Sequence, residues 1–207
     1  MHHGLTPILS GLAILAVSAC QPVVAVPTDP GFADDATAVS DLAAGLSVDP
    51  TPAADVPATG TARYEGYAVL LPGVDVADIP DADAGAADAA VVRLLQRSED
   101  ILIGELELNA DFDADTLTGG AGGFSDRIDG EVGGQLAVDG AIIDGGVLAT
   151  VTGELEVDGR SETVDAVAVG ALTGAGGENI QAVAAGDITT PDGTEPIYGE
   201  LIGTRTP

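Results

Sequence analysis

The sequence predicts an all-β fold, a single soluble antiparallel β-barrel of about eight strands behind a signal peptide and a Pro/Ala/Asp-rich tether, and three observations carry that prediction. Apolar and polar side chains alternate with period two in stretch after stretch, the pattern of strands with one buried face. The 29 glycines are scattered without a collagen-like period, which suits many turns and closely approaching strands. Of the 207 residues 45% are hydrophobic but only 3% aromatic, so the chain can bury one ordinary core and must fill it with small aliphatic side chains.

Leu5 to Val17 is an apolar run too short to span a bilayer as a helix, and it ends in small residues before a cysteine, as a signal-peptide core does. Val17-Ser18-Ala19-Cys20 resembles the lipobox of bacterial lipoproteins. The resemblance implies cleavage between Ala19 and Cys20, so that 1–19 is the signal peptide and Cys20 the lipidated first residue of the mature chain. Its n-region has two histidines where Lys or Arg is usual. Acyl chains contribute about 0.8 kcal/mol per buried methylene, and two or more anchor a protein stably. Gln21 follows the cysteine, and by resemblance to enterobacterial lipoproteins the absence of Asp there is compatible with forwarding to the outer membrane.

Residues 20–59 read as a lipid-anchored flexible tether, broken by Pro22, Pro27, Pro30, Pro50, Pro52 and Pro57. Within it Phe32, Ala36, Val39, Ala43 and Leu46 share one helical face, which allows a short helix.

Residues 60–207 form the barrel domain. Thr61 to Leu71 carries Ala62, Tyr64, Gly66, Ala68 and Leu70 on one parity. Pro72 to Asp88 is an acidic, proline-marked loop. Ala89 to Arg97 satisfies both helix and strand templates. Ile101 to Phe124 is a hairpin with Leu102, Leu106, Leu108, Ala110 and Phe112 on one face and Glu105, Glu107, Asn109 and Asp111 on the other, turned by Asp113-Ala114-Asp115. Arg127 to Gly134 reads as a polar loop and Gln135 to Ile143 as a strand interrupted at Asp139-Gly140. Val147 to Val157 alternates cleanly, and Asp158-Gly159 is a type I′ turn signal leading into Ser161 to Ala171. Asn179 to Thr189 and Ile197 to Arg205 are joined by Pro191-Asp192-Gly193. An up-and-down barrel closes at about eight strands with a side-chain-filled interior and no exposed edges, while a β-sandwich is the alternative architecture. A transmembrane barrel is disfavoured, because Phe32, Phe112, Phe124, Tyr64, Tyr67 and Tyr198 are too few for aromatic girdles and the outward parity is acidic.

The formal charge of −28 comes from 34 acidic residues against six basic ones, all arginine. Such a surface repels nucleic acid and anionic head groups, keeps a protein hydrated, and attracts cationic partners. Without 1–19, the chain has no His, Lys, Met or Trp and a single thiol at Cys20. That removes histidine-dependent triads, His/Cys zinc sites, lysine Schiff bases and disulfides. Carboxylate, hydroxyl and phenol chemistry remains.

Gly119 to Asp126 partly matches the calcium-binding nonapeptide, which needs several copies to share each ion. The aspartates from Asp75 to Asp88 lack the EF-hand spacing and read as a solvated loop. Glu105 with Glu107 and Glu154 with Glu156 lie two apart on strands, as a glycosidase pair could, but in a chain this acidic such pairs arise by chance. Haem would have only Tyr64, Tyr67 or Tyr198 as axial ligand, and tyrosines in barrel strands usually pack. No cofactor, no metal site and no catalytic residue is therefore expected.

Gly60-Thr61-Ala62-Arg63-Tyr64-Glu65-Gly66 resembles the G-x-A-x-Y-x-G strand that opens the barrel lobe of transferrin-binding-protein-like surface lipoproteins. Glu107 to Gly119 is similar to that family's following hairpin, Gly170 to Gly186 to its glycine-punctuated segment, and the chain closes on Gly203-Thr204-Arg205 as the family often does. The resemblance covers 60–207. It implies an eight-stranded soluble barrel on or under the bacterial outer membrane that acts by binding a protein or small ligand; members capture host iron proteins, complement regulators or haem. Two departures bear on the partner: Ala171, Leu172, Val183 and Ala184 stand where the family usually has aromatics, and there is room for one barrel and no handle domain. The expectation is a non-catalytic monomer, held to the membrane through its lipid and binding through its loops. A structural envelope protein without a specific ligand and a carboxylate-dependent hydrolase are the alternatives.

Overall fold

The alternating stretches pair into one continuous ladder in the computed structural model of the chain, which describes residues 31–47, 49–79, 100–127, 130–157 and 159–207. Helix α1 (Phe32–Gly45) precedes strands β1 (Thr61–Pro72), β2 (Leu102–Asp111), β3 (Thr116–Asp126), β4 (Gly130–Ile143), β5 (Gly146–Val157), β6 (Arg160–Thr173), β7 (Asn179–Thr190) and β8 (Gly193–Arg205). A short 3-10 turn, Val76–Asp78, follows β1. Ala19 and Cys20, the acidic loop beyond Ile79, the ambiguous stretch Ala89 to Arg97 and Asp158 lie outside the described residues.

Each strand pairs antiparallel with the next, and β8 returns to β1 from Tyr64↔Arg205 to Pro72↔Ile197, so the eight strands close into a barrel. Closure settles the choice against a sandwich and leaves no unpaired edge. The inward parity fills the interior with Leu70, Leu108, Leu117, Leu136, Val151, Leu155, Leu172, Ile180 and their neighbours, plus the rings of Tyr64 and Phe124. Each such side chain contributes about 1.5–3 kcal/mol by burial.

The small core is possible because strands approach closely where glycine removes Cβ. A Cβ at Gly66 would lie 2.0 Å from the Ile202 carbonyl oxygen across the β1–β8 seam. Gly104 lies against the Phe124 ring, 2.6 Å from where a Cβ would be, between register shifts in β2 and β3 that bend this part of the wall.

Two expectations are corrected. β4 begins at Gly130, so Gly130 to Gly134 are strand rather than loop, and the strand runs on through Asp139-Gly140 without interruption. Gly140 is a close-approach glycine, its absent Cβ 2.3 Å from the Leu148 carbonyl oxygen, and not a turn residue. The turn comes later, at Asp144-Gly145, where φ is 51° and 85° between the paired Ile143 and Gly146. Both central residues are left-handed, as a type I′ turn requires.

The helical face expected within the tether forms, and it is seated on the outside of the barrel. Val39, Ala43 and Leu46 pack on Val69, Leu71, Tyr198 and Ile202 in a second apolar cluster. Asp34 and Asp35 occupy the first turn, where carboxylates favour the helix dipole. Beyond the helix the chain crosses one end of the barrel: Thr51 N–H donates to the Leu172 carbonyl at 2.9 Å and Thr51 Oγ1 to that of Gly174 at 2.7 Å, while Val56 packs on the interior core. This part of the chain is packed rather than free.

Candidate functional site

With the interior occupied by side chains, space for a ligand is found on the outer wall. Helix α1 stands on strands β1, β2, β3 and β8, and between it and the β1–β2 ladder lies a cleft of about 390 Å³. Ala38 and Leu42 of the helix form one side; Arg63, Glu65 and Tyr67 of β1 with Glu105 and Glu107 of β2 form the floor.

The strand period explains the floor. Residues 63, 65 and 67 and residues 105 and 107 have outward parity, and the register sets Glu65 opposite Glu107 and Tyr67 opposite Glu105. Like charges directly opposite destabilise a ladder. Arg63 relieves this by donating from Nη2 to Glu107 Oε2 at 2.7 Å while lying 2.9 Å from Glu65 Oε1. Burial under the helix pushes the Glu105 carboxyl above its usual range, and the charges of Asp35 and Glu65 push in the same direction. Burial likewise raises the Tyr67 phenol, with Asp35 and Glu105 adding to the effect.

The helix is fixed over the cleft at both ends. Near its start the Ser125 hydroxyl donates to Asp35 Oδ2 at 2.5 Å, both residues buried, and the Arg127 guanidinium lies 5.3 Å from the centre of the Phe32 ring. Just past its end Gln181 Nε2 donates to the Ser47 carbonyl at 2.8 Å. Beside these, Tyr198 donates to Glu200 Oε1 at 2.6 Å in the buried layer, and desolvation with the Glu200 charge drives the phenol far above its ordinary range.

The residues singled out from sequence are dispersed. Tyr64 is an interior side chain whose hydroxyl donates to the Gly177 carbonyl at 2.8 Å, Tyr198 lies beneath the helix, and Tyr67 alone reaches the cleft. Glu105 and Glu107 line the cleft, whereas Glu154 and Glu156 stand exposed on β5. Gly119 to Asp126 lies within strand β3, the returning arm of the hairpin, and Asp75 caps the 3-10 turn by accepting from Ala77 N–H. Among the described residues no group of three His, Cys, Asp or Glu side chains is placed to hold a metal ion, and no helix is long and apolar enough to cross a membrane. Asp35, Ser125 and Arg63 were not legible as partners: each looked like a single residue of an acidic helix, a hairpin end or a strand.

The fold and this site define a class: closed eight-stranded antiparallel barrels with a helix on the outer wall and a charged cleft beneath it. No family model matches the chain, and no curated protein matches it. Among solved structures, the chain is similar to a double mutant of the vaccine antigen transferrin binding protein B from Haemophilus parasuis Hp5, with 15% identity over 75% of this chain and 28% of that one and a TM-score of 0.43. A single mutant of the same antigen matches with 16% identity over 76% and 29% of the two chains and a TM-score of 0.41. The chain thus spans less than a third of the length of those proteins.

Proposed function

We propose that the protein is a lipid-anchored bacterial outer-membrane lipoprotein, cleaved before Cys20, whose barrel binds a protein or small ligand on its outer surface without catalysing a reaction. The observation that carries the binding reading is the cleft of about 390 Å³ beneath α1, set on a barrel whose interior is already filled. Lipobox, signal-peptide core and the motif order of the transferrin-binding-protein-like lipoproteins supply the address. A catalytic carboxylate pair needs one proton donor and one free base on either side of a bond. Here Glu65 and Glu107 share the Arg63 guanidinium, which suits recognition better than hydrolysis.

Two measurements test this. Metabolic labelling with a fatty-acid analogue should mark the wild-type chain and leave Cys20→Ser unlabelled and released from membranes; equal labelling of both removes the anchor. Affinity capture with the full chain from growth medium and host fluids should retain one saturable partner, weakened by changes at Arg63 or Glu105. The filled interior favours a second reading, an acidic spacer of the envelope, and capture of nothing beyond charge-driven background would establish it in place of binding.

A further inference from the structure

On the wall facing away from the cleft, strands β4 to β6 expose side chains that barrels usually keep inside. Ile143, Leu148, Val167 and Val169 are 61%, 51%, 47% and 56% exposed. Register makes them one surface: Leu148 is opposite Val169, and Val169 is opposite Val183, which packs at the margin of the cluster under α1. The apolar strip is therefore a continuation of the surface on which the chain already seats a helix.

We propose that this strip is a second helix seat, and that its occupant is a basic amphipathic helix of a partner protein; the proposal rests on the binding function argued above and adds to the cleft a second contact, on the opposite wall, for the same partner. The charge around the strip selects that chemistry. Asp165 and Asp187 are exposed and directly opposite each other at its border, an arrangement that costs stability unless a cation intervenes. Asp139 and Asp144 border it on the β4 side. The one arginine on β4 to β7 is Arg160, at the far end and 3.4 Å from Asp192. A second copy of this chain, with six basic residues against 34 acidic ones, would bring acid against acid, and an anionic lipid surface would be repelled. A helix with an apolar stripe flanked by lysine or arginine satisfies both the strip and its border.

The test titrates the full chain into a fluorescent synthetic amphipathic peptide of leucine and lysine at physiological ionic strength. Saturable single-site binding is expected, weakened at least about tenfold, or about 1.4 kcal/mol, by Leu148→Ser with Val169→Ser. Asp165→Asn with Asp187→Asn should weaken it less but flatten its dependence on salt. Unchanged thermal unfolding in both variants shows that the barrel is intact. Equal affinity for the serine variant overturns the proposal, since the peptide is then held by diffuse charge. A concentration-dependent dimer abolished by the serine substitutions overturns it in favour of a second copy. A captured partner that binds wild type and serine variant alike keeps the binding function and removes this seat.

Discussion

The Ser125 hydroxyl donates to Asp35 Oδ2 at 2.5 Å, joining the first turn of α1 to the end of β3 with both residues at most 4% exposed. A buried carboxylate that loses a donor costs about 1–3 kcal/mol. Ser125→Ala should lower the urea unfolding free energy by that amount and speed amide exchange along α1 while leaving the β5–β6 ladder unchanged. Uniform protection in α1 and β6 of the variant would show that the helix is held by its apolar face alone.

Arg63 spans two carboxylates that the register forces together. Replacing it with Gln leaves Glu65 opposite Glu107, and the expected loss is about 0.2–1 kcal/mol, smaller at high salt. Adding Glu107→Gln should restore most of it. A double-mutant cycle with no coupling between the two positions would contradict the bridge.

Closure of the barrel depends on Gly66. A methyl group there meets the Ile202 carbonyl at 2.0 Å, so Gly66→Ala must spread the β1–β8 seam, at a cost of about 1–3 kcal/mol or more. Thermal melting should fall accordingly. Gly159→Ala, where nothing lies within 4 Å of the added carbon, should fall less, although its φ of 72° still favours glycine.

Tyr64, Tyr67 and Tyr198 are the three tyrosines of the chain, and burial raises the phenol of each above its ordinary value of 10.0. Because the folded protein holds these protons more tightly than the unfolded chain, their contribution to stability is complete below about pH 10 and is lost as pH rises above it. Absorbance titration, uncomplicated by tryptophan, should show the tyrosinates of Tyr64 and Tyr198 appearing late and together with unfolding. A reversible signal from more than one tyrosine near pH 10 in a folded chain would contradict the burial of Tyr64 and Tyr198, Tyr67 being the ring that faces the cleft.

Strand number and order were legible because period two needs no partner to be read, and Asp-Gly dipeptides mark where the chain turns. Asp139-Gly140 was the exception: the same dipeptide serves a turn at Asp144-Gly145 and a close strand contact five residues earlier, and only the neighbouring Leu148 backbone distinguishes them. The seat of α1 left a trace in Ala68-Val69-Leu70-Leu71, an unbroken apolar run that says both faces of β1 are covered. The cover itself could not be named from the run.

By itself the sequence determined the class: alternation, glycine content and turn chemistry are local properties, and together they require an antiparallel all-β chain with a small aliphatic core. Tertiary structure decided what lies on the outside. Which outward residues meet depends on register between strands and on where the helix is seated, so the sharing of Glu65 and Glu107 by Arg63, the Asp35–Ser125 contact across 90 residues of sequence, and the continuous strip from Val183 to Leu148 came into existence only when strands paired and α1 packed on them.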